Sequence, residues 1–194
     1  MAGLKHDDLL SLEEYARQRG DFRNKVMAHK QNRKVALGEH ATLYFEDRLT
    51  MQYQIQEMLR IERIFEPEGI QEELDAYNPL IPEGSNLKAT FMLEYPDVEE
   101  RKVALSELVG IEDTVWIQVK GFDKVYAIAN EDLERTTADK TSSVHFLRFE
   151  FTPEMVEAAR QGAPLAMGIE HEKYSFTLDP VPDHIRESLV ADFA

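Results

Sequence analysis

The chain has 194 residues, of which 43% are hydrophobic and 30% are charged, and its net charge is −15. This acidic balance opposes binding to nucleic acid or to anionic membranes. The absence of cysteine excludes disulfides, thiolate zinc sites and cysteine-ligated iron–sulfur clusters within the sequence. No apolar run reaches the roughly 20 residues of a membrane span, and the charged N-terminus does not resemble a signal peptide. The sequence therefore predicts a single cytoplasmic globular domain over residues 1–194.

Two helices are predicted near the N-terminus. Ser11 and Glu14 have the spacing of a capping box, which predicts a helix over 12–19. Gly20 is expected to end this helix, and a basic amphipathic helix is expected to follow over 22–37.

The N-terminal segment differs in charge from the rest of the chain. The first 37 residues carry eight Lys and Arg against five Asp and Glu. We expect this segment to dock on the acidic body of the protein or on a second copy in a homodimer. Binding of an anionic ligand by the same residues is the alternative.

A long central helix is predicted over 46–66, because this stretch contains neither Gly nor Pro and offers Asp47 or Thr50 as an N-cap. Its helical projection, at about 100° per residue, has an apolar arc formed by Met51, Ile55, Met58, Ile61 and Phe65. This arc is expected to face the core.

Polar residues interrupt the arc. Gln54 and Glu62 fall inside it, and Glu57 lies on its border. A buried carboxylate needs hydrogen-bond donors or a cation, because an unpaired buried charge is costly. We therefore predict a buried polar network of Gln54, Glu62 and Arg148, with Arg148 as the cation. A metal or ligand site facing the helix is the functional alternative.

The remainder of the chain is predicted to alternate between strands and helices. Strands are predicted over 41–45, 88–95, 114–120, 124–129, 142–151, 164–171 and 174–178, and helices over 98–109, 153–161 and 182–193. The sum is an α+β fold, with a helical part over about 1–80 and a sheet-containing part over about 86–194. The sheet is expected to be mostly antiparallel, with about five to six strands and helices on one side.

Two histidines are candidates for a metal site. His145 and His171 each end an apolar face of a predicted strand. Together with Glu57 or Glu62 they would form a ligand set for iron, manganese or zinc. The alternative is that both are core histidines with one satisfied nitrogen. No H-E-x-x-H, nucleotide-binding or nucleophile-elbow motif is present, so the sequence leaves open whether the chain is an enzyme.

Five segments carry a resemblance to a known family. They are LLSLEEYARQR, GEHATLYFEDRLTMQYQIQEMLRIERIF, GIQEELDAYNPLIPEGSNLKATFMLEYPD, LVGIEDTVWIQV and TSSVHFLRFEF. Over nearly its whole length the chain resembles the bacterial family known as domain of unknown function 3501. The resemblance implies a link to oxidative-stress or redox metabolism, with rubrerythrin-like or iron–sulfur proteins as partners. It assigns no role to any residue.

Two functions follow as expectations. The first is a cytoplasmic, non-catalytic accessory or interaction protein associated with a redox system. The second is a metal-binding protein or metalloenzyme that uses His145, His171 and a carboxylate from Glu57 or Glu62.

Overall fold

The computed structural model describes residues 3–194, which fold into six α-helices and nine β-strands. The helices are α1 (Leu12–Lys30), α2 (Arg48–Glu62), α3 (Pro67–Tyr77), α4 (Val98–Glu107), α5 (Pro153–Arg160) and α6 (Asp183–Val190). The strands are β1 (Lys34–Ala36), β2 (Ala41–Glu46), β3 (Asn86–Leu93), β4 (Val115–Val119), β5 (Val125–Tyr126), β6 (Ile128–Ala129), β7 (Val144–Glu150), β8 (Leu165–His171) and β9 (Tyr174–Leu178). The predicted α+β class is confirmed.

The strands form two antiparallel sheets. Their orders are β1-β2-β3-β7-β6 and β5-β4-β8-β9. The predicted strand over 124–129 divides between them, because β5 pairs with β4 whereas β6 crosses to β7. The sequence does not reveal this crossing, since both halves have the same strand pattern.

One continuous apolar cluster joins the two sheets. Phe91 and Phe149 of the first sheet and Ile117 and Met167 of the second enter the same core. A smaller cluster lies beneath α2 and α3. The opposite face of the five-stranded sheet carries both polar and apolar side chains, among them Lys88, Phe146 and Arg148.

The first helix runs without interruption through Gly20, so the predicted break there is wrong. Gly20 lies on the exposed side of α1, where glycine costs only about 1 kcal/mol relative to alanine. The Ser11–Glu14 capping box is present as predicted. The predicted helix over 22–37 is wrong beyond Lys30, because the chain turns there and forms β1.

The central helix is shorter than predicted. Asp47 is its N-cap, as expected, and accepts a hydrogen bond from the backbone N–H of Thr50. Glu46 belongs to β2, and Arg63 ends the helix in the left-handed conformation with φ of 55°. The predicted apolar arc is therefore partly wrong, since Phe65 lies beyond the helix and is 72% exposed, and Ile61 lies within it but is 63% exposed.

The polar network predicted for α2 is wrong. Glu62 is exposed in the last turn, and Gln54 is only partly buried. The fully buried polar residue is instead Gln56, whose side chain accepts from the N–H of Leu10 at 2.7 Å and donates to its C=O at 3.2 Å. Gln56 therefore attaches the N-terminal segment to α2. Among residues 3–194, no helix is long and apolar enough to cross a membrane.

A buried arginine connects the N- and C-terminal parts of the fold. Arg33, only 2% exposed, places Nη2 2.5 Å from Oδ2 of Asp192, just beyond α6. Its Nε donates to the carbonyl of Phe45 at 3.0 Å and lies 3.5 Å from Oδ2 of Asp47. The same Asp47 oxygen is 2.5 Å from Nε2 of His29. One guanidinium thus holds β2, the start of α2 and the C-terminal segment together.

Candidate functional site

The structure does not bring the predicted metal ligands together. His145 lies on β7 of the five-stranded sheet, and His171 ends β8 of the other sheet. His171 binds the backbone on both sides, with Nε2 2.9 Å from the carbonyl of Val109 and Nδ1 3.0 Å from the N–H of Lys173. This arrangement makes His171 an anchor for the turn between β8 and β9.

The predicted carboxylates have other surroundings. Glu57 accepts hydrogen bonds from the hydroxyl of Tyr15 at 2.8 Å and from Arg19 at 2.8 Å, which links α2 to α1. The Arg19 hydrogen bond is the main reason that the pKa of Glu57 is lowered. Glu62 is exposed. Throughout the described part of the chain, no group of three or more His, Cys, Asp or Glu is arranged to hold a metal ion.

His145 belongs to a buried network of hydrogen bonds. Its Nδ1 lies 2.8 Å from the amide nitrogen of Asn130, and its Nε2 lies 2.9 Å from both the carbonyl of Ser142 and the hydroxyl of Thr141. The carbonyl oxygen of Asn130 accepts from the N–H of Phe146, so its NH₂ group must face the imidazole. These bonds favour a neutral ring with its proton on Nε2.

The hydrogen-bonded network continues from His145 through Thr141 to Glu112. This carboxylate is only 4% exposed and accepts hydrogen bonds from the hydroxyls of Thr136 and Thr141. Its Oε2 lies 4.0 Å from Nε2 of His145. An acidic cleft of about 510 Å³ opens between Glu112 and the loop over 130–136. Sequence reasoning found His145 but missed Glu112, because their contact joins two parts of the chain that no periodic pattern relates.

The burial of His145 predicts a contribution of this residue to the pH dependence of stability. Burial lowers its pKa against the opposing pull of Glu112, so the native state keeps the ring neutral. The unfolded chain takes up this proton near a pH of about 6.5, and stability is therefore lost as the pH falls below that value. We expect His145→Gln to reduce the loss of unfolding free energy between about pH 7.5 and 5.5, as measured by urea denaturation.

The matched control is His184→Gln, which removes an exposed histidine from α6. This control should retain the pH dependence of the unmodified chain. An equal pH dependence in all three proteins would show that His145 does not remain neutral in the folded state.

A second cleft lies on the outer face of the five-stranded sheet. Lys88 of β3 and Arg148 of β7 are direct cross-strand neighbours on this face. The space beside them has a volume of about 500 Å³ and is called here the Lys88–Arg148 cleft. Its remaining lining is provided by Asp75, Ala76, Tyr77, Pro79, Leu80, Glu131, Asp132, Phe146 and Leu147. The cleft thus combines apolar walls with two cations and three carboxylates.

Both cations form ion pairs with carboxylates. Nζ of Lys88 donates to Glu83 at 2.6 Å and to the carbonyl of Pro79 at 2.7 Å. Arg148 donates to Glu131 through Nε at 3.0 Å and through Nη2 at 2.8 Å. Its Nη1 donates to Glu150 at 2.6 Å. The predicted pairing of Arg148 with Glu62 is therefore wrong.

The pairing of β3 with β7 places two like charges, Lys88 and Arg148, next to each other on this face. Like charges directly opposite each other on neighbouring strands are destabilising unless they are neutralised. Here Lys88 and Arg148 are fixed by the strands, whereas the side chains of Glu83 and Glu131 are 65% and 52% exposed. The hydrogen bond from Arg148 is the main reason that the pKa of Glu131 is lowered. Glu83 and Glu131 are thus more exposed than the cations that they bind.

The fold and site define a two-sheet α+β protein with an open cleft whose lining combines apolar side chains, two cations and three carboxylates. The chain belongs to the family described as protein of unknown function (DUF3501), whose model matches residues 3–193. The family resemblance seen in the sequence is thereby confirmed.

A solved structure of a related protein has the same fold. It is the crystal structure of a novel protein of unknown function from Burkholderia pseudomallei K96243, which is 50% identical to this chain. The similarity covers 100% of both chains, with a TM-score of 0.94. No curated protein matches the chain. The comparisons therefore establish the family and the fold, and the function must be argued from the site.

Proposed function

We propose that this chain binds an organic carboxylate whose apolar part lies in the Lys88–Arg148 cleft. The observation that carries the proposal is the bidentate ion pair between Arg148 and Glu131 at the edge of the cleft. In this contact the protein's own carboxylate occupies the position that a ligand carboxylate would take. A planar guanidinium is suited to this bidentate geometry, which gives both energy and orientation.

The walls of the cleft support an apolar body for the ligand. Phe146 lies on the same sheet face as Arg148, and Leu80 and Tyr77 line the same space. The guanidinium carbon of Arg135 lies 4.7 Å from the ring centroid of Phe146, which holds that ring in place. A volume of about 500 Å³ accommodates a small organic molecule, and ligand pockets commonly combine apolar walls with a few polar groups.

This role agrees with the non-catalytic accessory protein predicted from the sequence. The association with a redox system, the rubrerythrin-like or iron–sulfur partner and the cytoplasmic location stay predictions. So does the metal-dependent alternative, although His145, His171, Glu57 and Glu62 each have the separate surroundings described above.

Two substitutions in the cleft should change binding in opposite directions. Arg148→Gln removes the charged hydrogen-bond donor, and we expect the affinity for a carboxylate to fall about 10- to 100-fold. Glu131→Gln removes the internal competitor, whose exposed ion pair is worth at most about 1 kcal/mol, so affinity should rise about two- to fivefold. The measurement is a fluorescence titration with 2-naphthoate, an aromatic carboxylate.

The controls separate specific binding from general charge effects. Lys102→Gln and Glu99→Gln make the same charge changes on exposed α4 residues that pair with each other, and both should leave affinity unchanged. The uncharged probe 2-naphthalenemethanol should bind the unmodified chain and Arg148→Gln equally weakly. If 2-naphthoate binds Arg148→Gln as tightly as the unmodified chain, the proposal is wrong.

A further inference from the structure

The outer edge of the four-stranded sheet is formed by β9, an exposed strand without any charged residue. Its sequence is YSFTL, and its central residues Ser175, Phe176 and Thr177 are exposed. In the strand order of the described residues, β9 has β8 on one side and ends the sheet on the other. Soluble proteins usually protect such an edge with charges, proline or a bulge, because unpaired backbone groups bind other strands.

The ladder geometry shows which backbone groups of β9 are available. A two-residue turn separates His171 from Tyr174, which are paired across the β8–β9 hairpin. The closing pair of a two-residue hairpin exchanges backbone hydrogen bonds, and such pairs alternate along an antiparallel ladder. Tyr174 and Phe176 therefore bond to β8, whereas the N–H and C=O groups of Ser175 and Thr177 point away from the sheet.

We propose that β9 pairs antiparallel with β9 of a second copy, so that two four-stranded sheets become one continuous eight-stranded sheet. The two-fold axis passes between the two copies of Phe176, and Ser175 of each copy exchanges backbone hydrogen bonds with Thr177 of the other. Both hydrogen-bonding residues are then paired, and the two Phe176 side chains meet on one face. A two-fold interface of this kind is closed and does not extend into a fibre.

Charge complementarity identifies the second copy as the occupant of this edge. In the proposed register, Lys173 lies opposite Asp179 of the second copy, and the reverse pair forms at the other end. These residues are the nearest charged positions on either side of β9, both are exposed, and their signs are opposite. The strand is therefore complementary to itself in length, hydrogen bonding and charge.

This interface differs from the homodimer expected through the basic helix. The inner side of α1 is already used within the chain, where Val26 is buried and Arg19 binds Glu57 of α2. The β9 interface also lies on the sheet that does not contain the Lys88–Arg148 cleft, so it goes beyond the proposed function. A five-residue strand pair buries little area, and the dimer is expected to be concentration-dependent, with a dissociation constant on the order of micromolar.

Sedimentation of the full chain from about 5 to about 500 µM tests for this dimer over the range expected of a small interface. The proposal expects a shift from monomer to dimer, accompanied by slower hydrogen exchange at the amides of Ser175 and Thr177. A chain that stays monomeric over this range would overturn it. So would a dimer that leaves exchange at these two amides unchanged.

A charge exchange tests the register without disturbing the fold. Lys173→Asp alone and Asp179→Lys alone place like charges opposite each other, and each should raise the dimer dissociation constant about two- to tenfold. Mixing the two variants brings opposite charges together at both ends, so a heterodimer should form with about the original affinity. Equal association of each variant alone and of the mixture would contradict the proposed register.

Discussion

Replacing Arg33 with methionine should lower the free energy of unfolding at pH 7 by about 3–5 kcal/mol, the cost of breaking a buried ion pair from one side. The substitution leaves Asp192, which is 4% exposed, without its cation. It also removes the donors that satisfy the backbone carbonyls of Phe45, Glu46 and Ser188. Urea denaturation would measure the loss.

The pH dependence of this loss follows from Asp192. Burial raises the pKa of Asp192 to about 6, against the attraction of Arg33. Without Arg33 the pKa rises further, so protonation at lower pH removes the buried charge from the variant. The destabilisation caused by Arg33→Met should therefore be largest at pH 7 and should shrink towards about pH 5.

Two comparisons isolate the cause. Arg23→Met makes the same replacement at an exposed position of α1 and should change stability by less than about 0.5 kcal/mol. Adding Asp192→Leu to Arg33→Met removes the orphaned carboxylate and should recover part of the lost stability. A loss of stability equal to that of Arg23→Met would contradict the structural role assigned to Arg33.

Gly168→Ala should destabilise the protein by about 1–3 kcal/mol, because the added methyl group has no space in the four-stranded sheet. A Cβ atom at Gly168 would lie 2.5 Å from the carbonyl oxygen of Phe176 and 2.5 Å from the ring of Trp116. The carbonyl belongs to the neighbouring strand, and the ring is held beneath Lys124, whose Nζ is 4.2 Å from its centroid. Neither group can withdraw without disturbing the sheet.

Gly20→Ala is the matched control for this substitution. Gly20 lies in α1, and a Cβ atom there meets no other atom within 4 Å. The control should stabilise the protein by about 0.5–1 kcal/mol, since alanine is the better helix former. If both alanine variants melt at or above the temperature of the unmodified chain, the close packing at Gly168 is not present in solution.

The elements of this fold that depend only on nearby residues were predicted well from the sequence. The cap at Asp47, the capping box of Ser11 and Glu14 and the strand over 174–178 all follow from short-range chemistry, and all are present. The continuation of α1 through Gly20 and the division of the strands between two sheets depend on tertiary packing. Helix propensity and strand alternation do not contain that information.

For the buried polar groups too, the sequence predicted what depends on nearby residues and missed what depends on tertiary contacts. His145 was correctly placed on an inward strand face by its alternation with Leu147 and Phe149. The hydrogen-bond partners of His145 lie outside the helices and strands, and the sequence analysis did not identify Gln56 as the buried polar residue of α2. The helical projection took Ile61 as part of the buried face, although Ile61 is 63% exposed within α2, and it therefore identified Gln54 and Glu62 instead of Gln56. The error in the position of the buried face thus became an error in the candidate site.

The central claim is that Arg148 holds a ligand carboxylate in place of Glu131. A crystal structure of the chain with 2-naphthoate bound tests this claim most directly. The account predicts a bidentate contact between the probe carboxylate and Arg148, the naphthyl ring against Phe146, and the side chain of Glu131 turned out to solvent. A structure in which Glu131 keeps both hydrogen bonds to Arg148 while the probe lies elsewhere would contradict it.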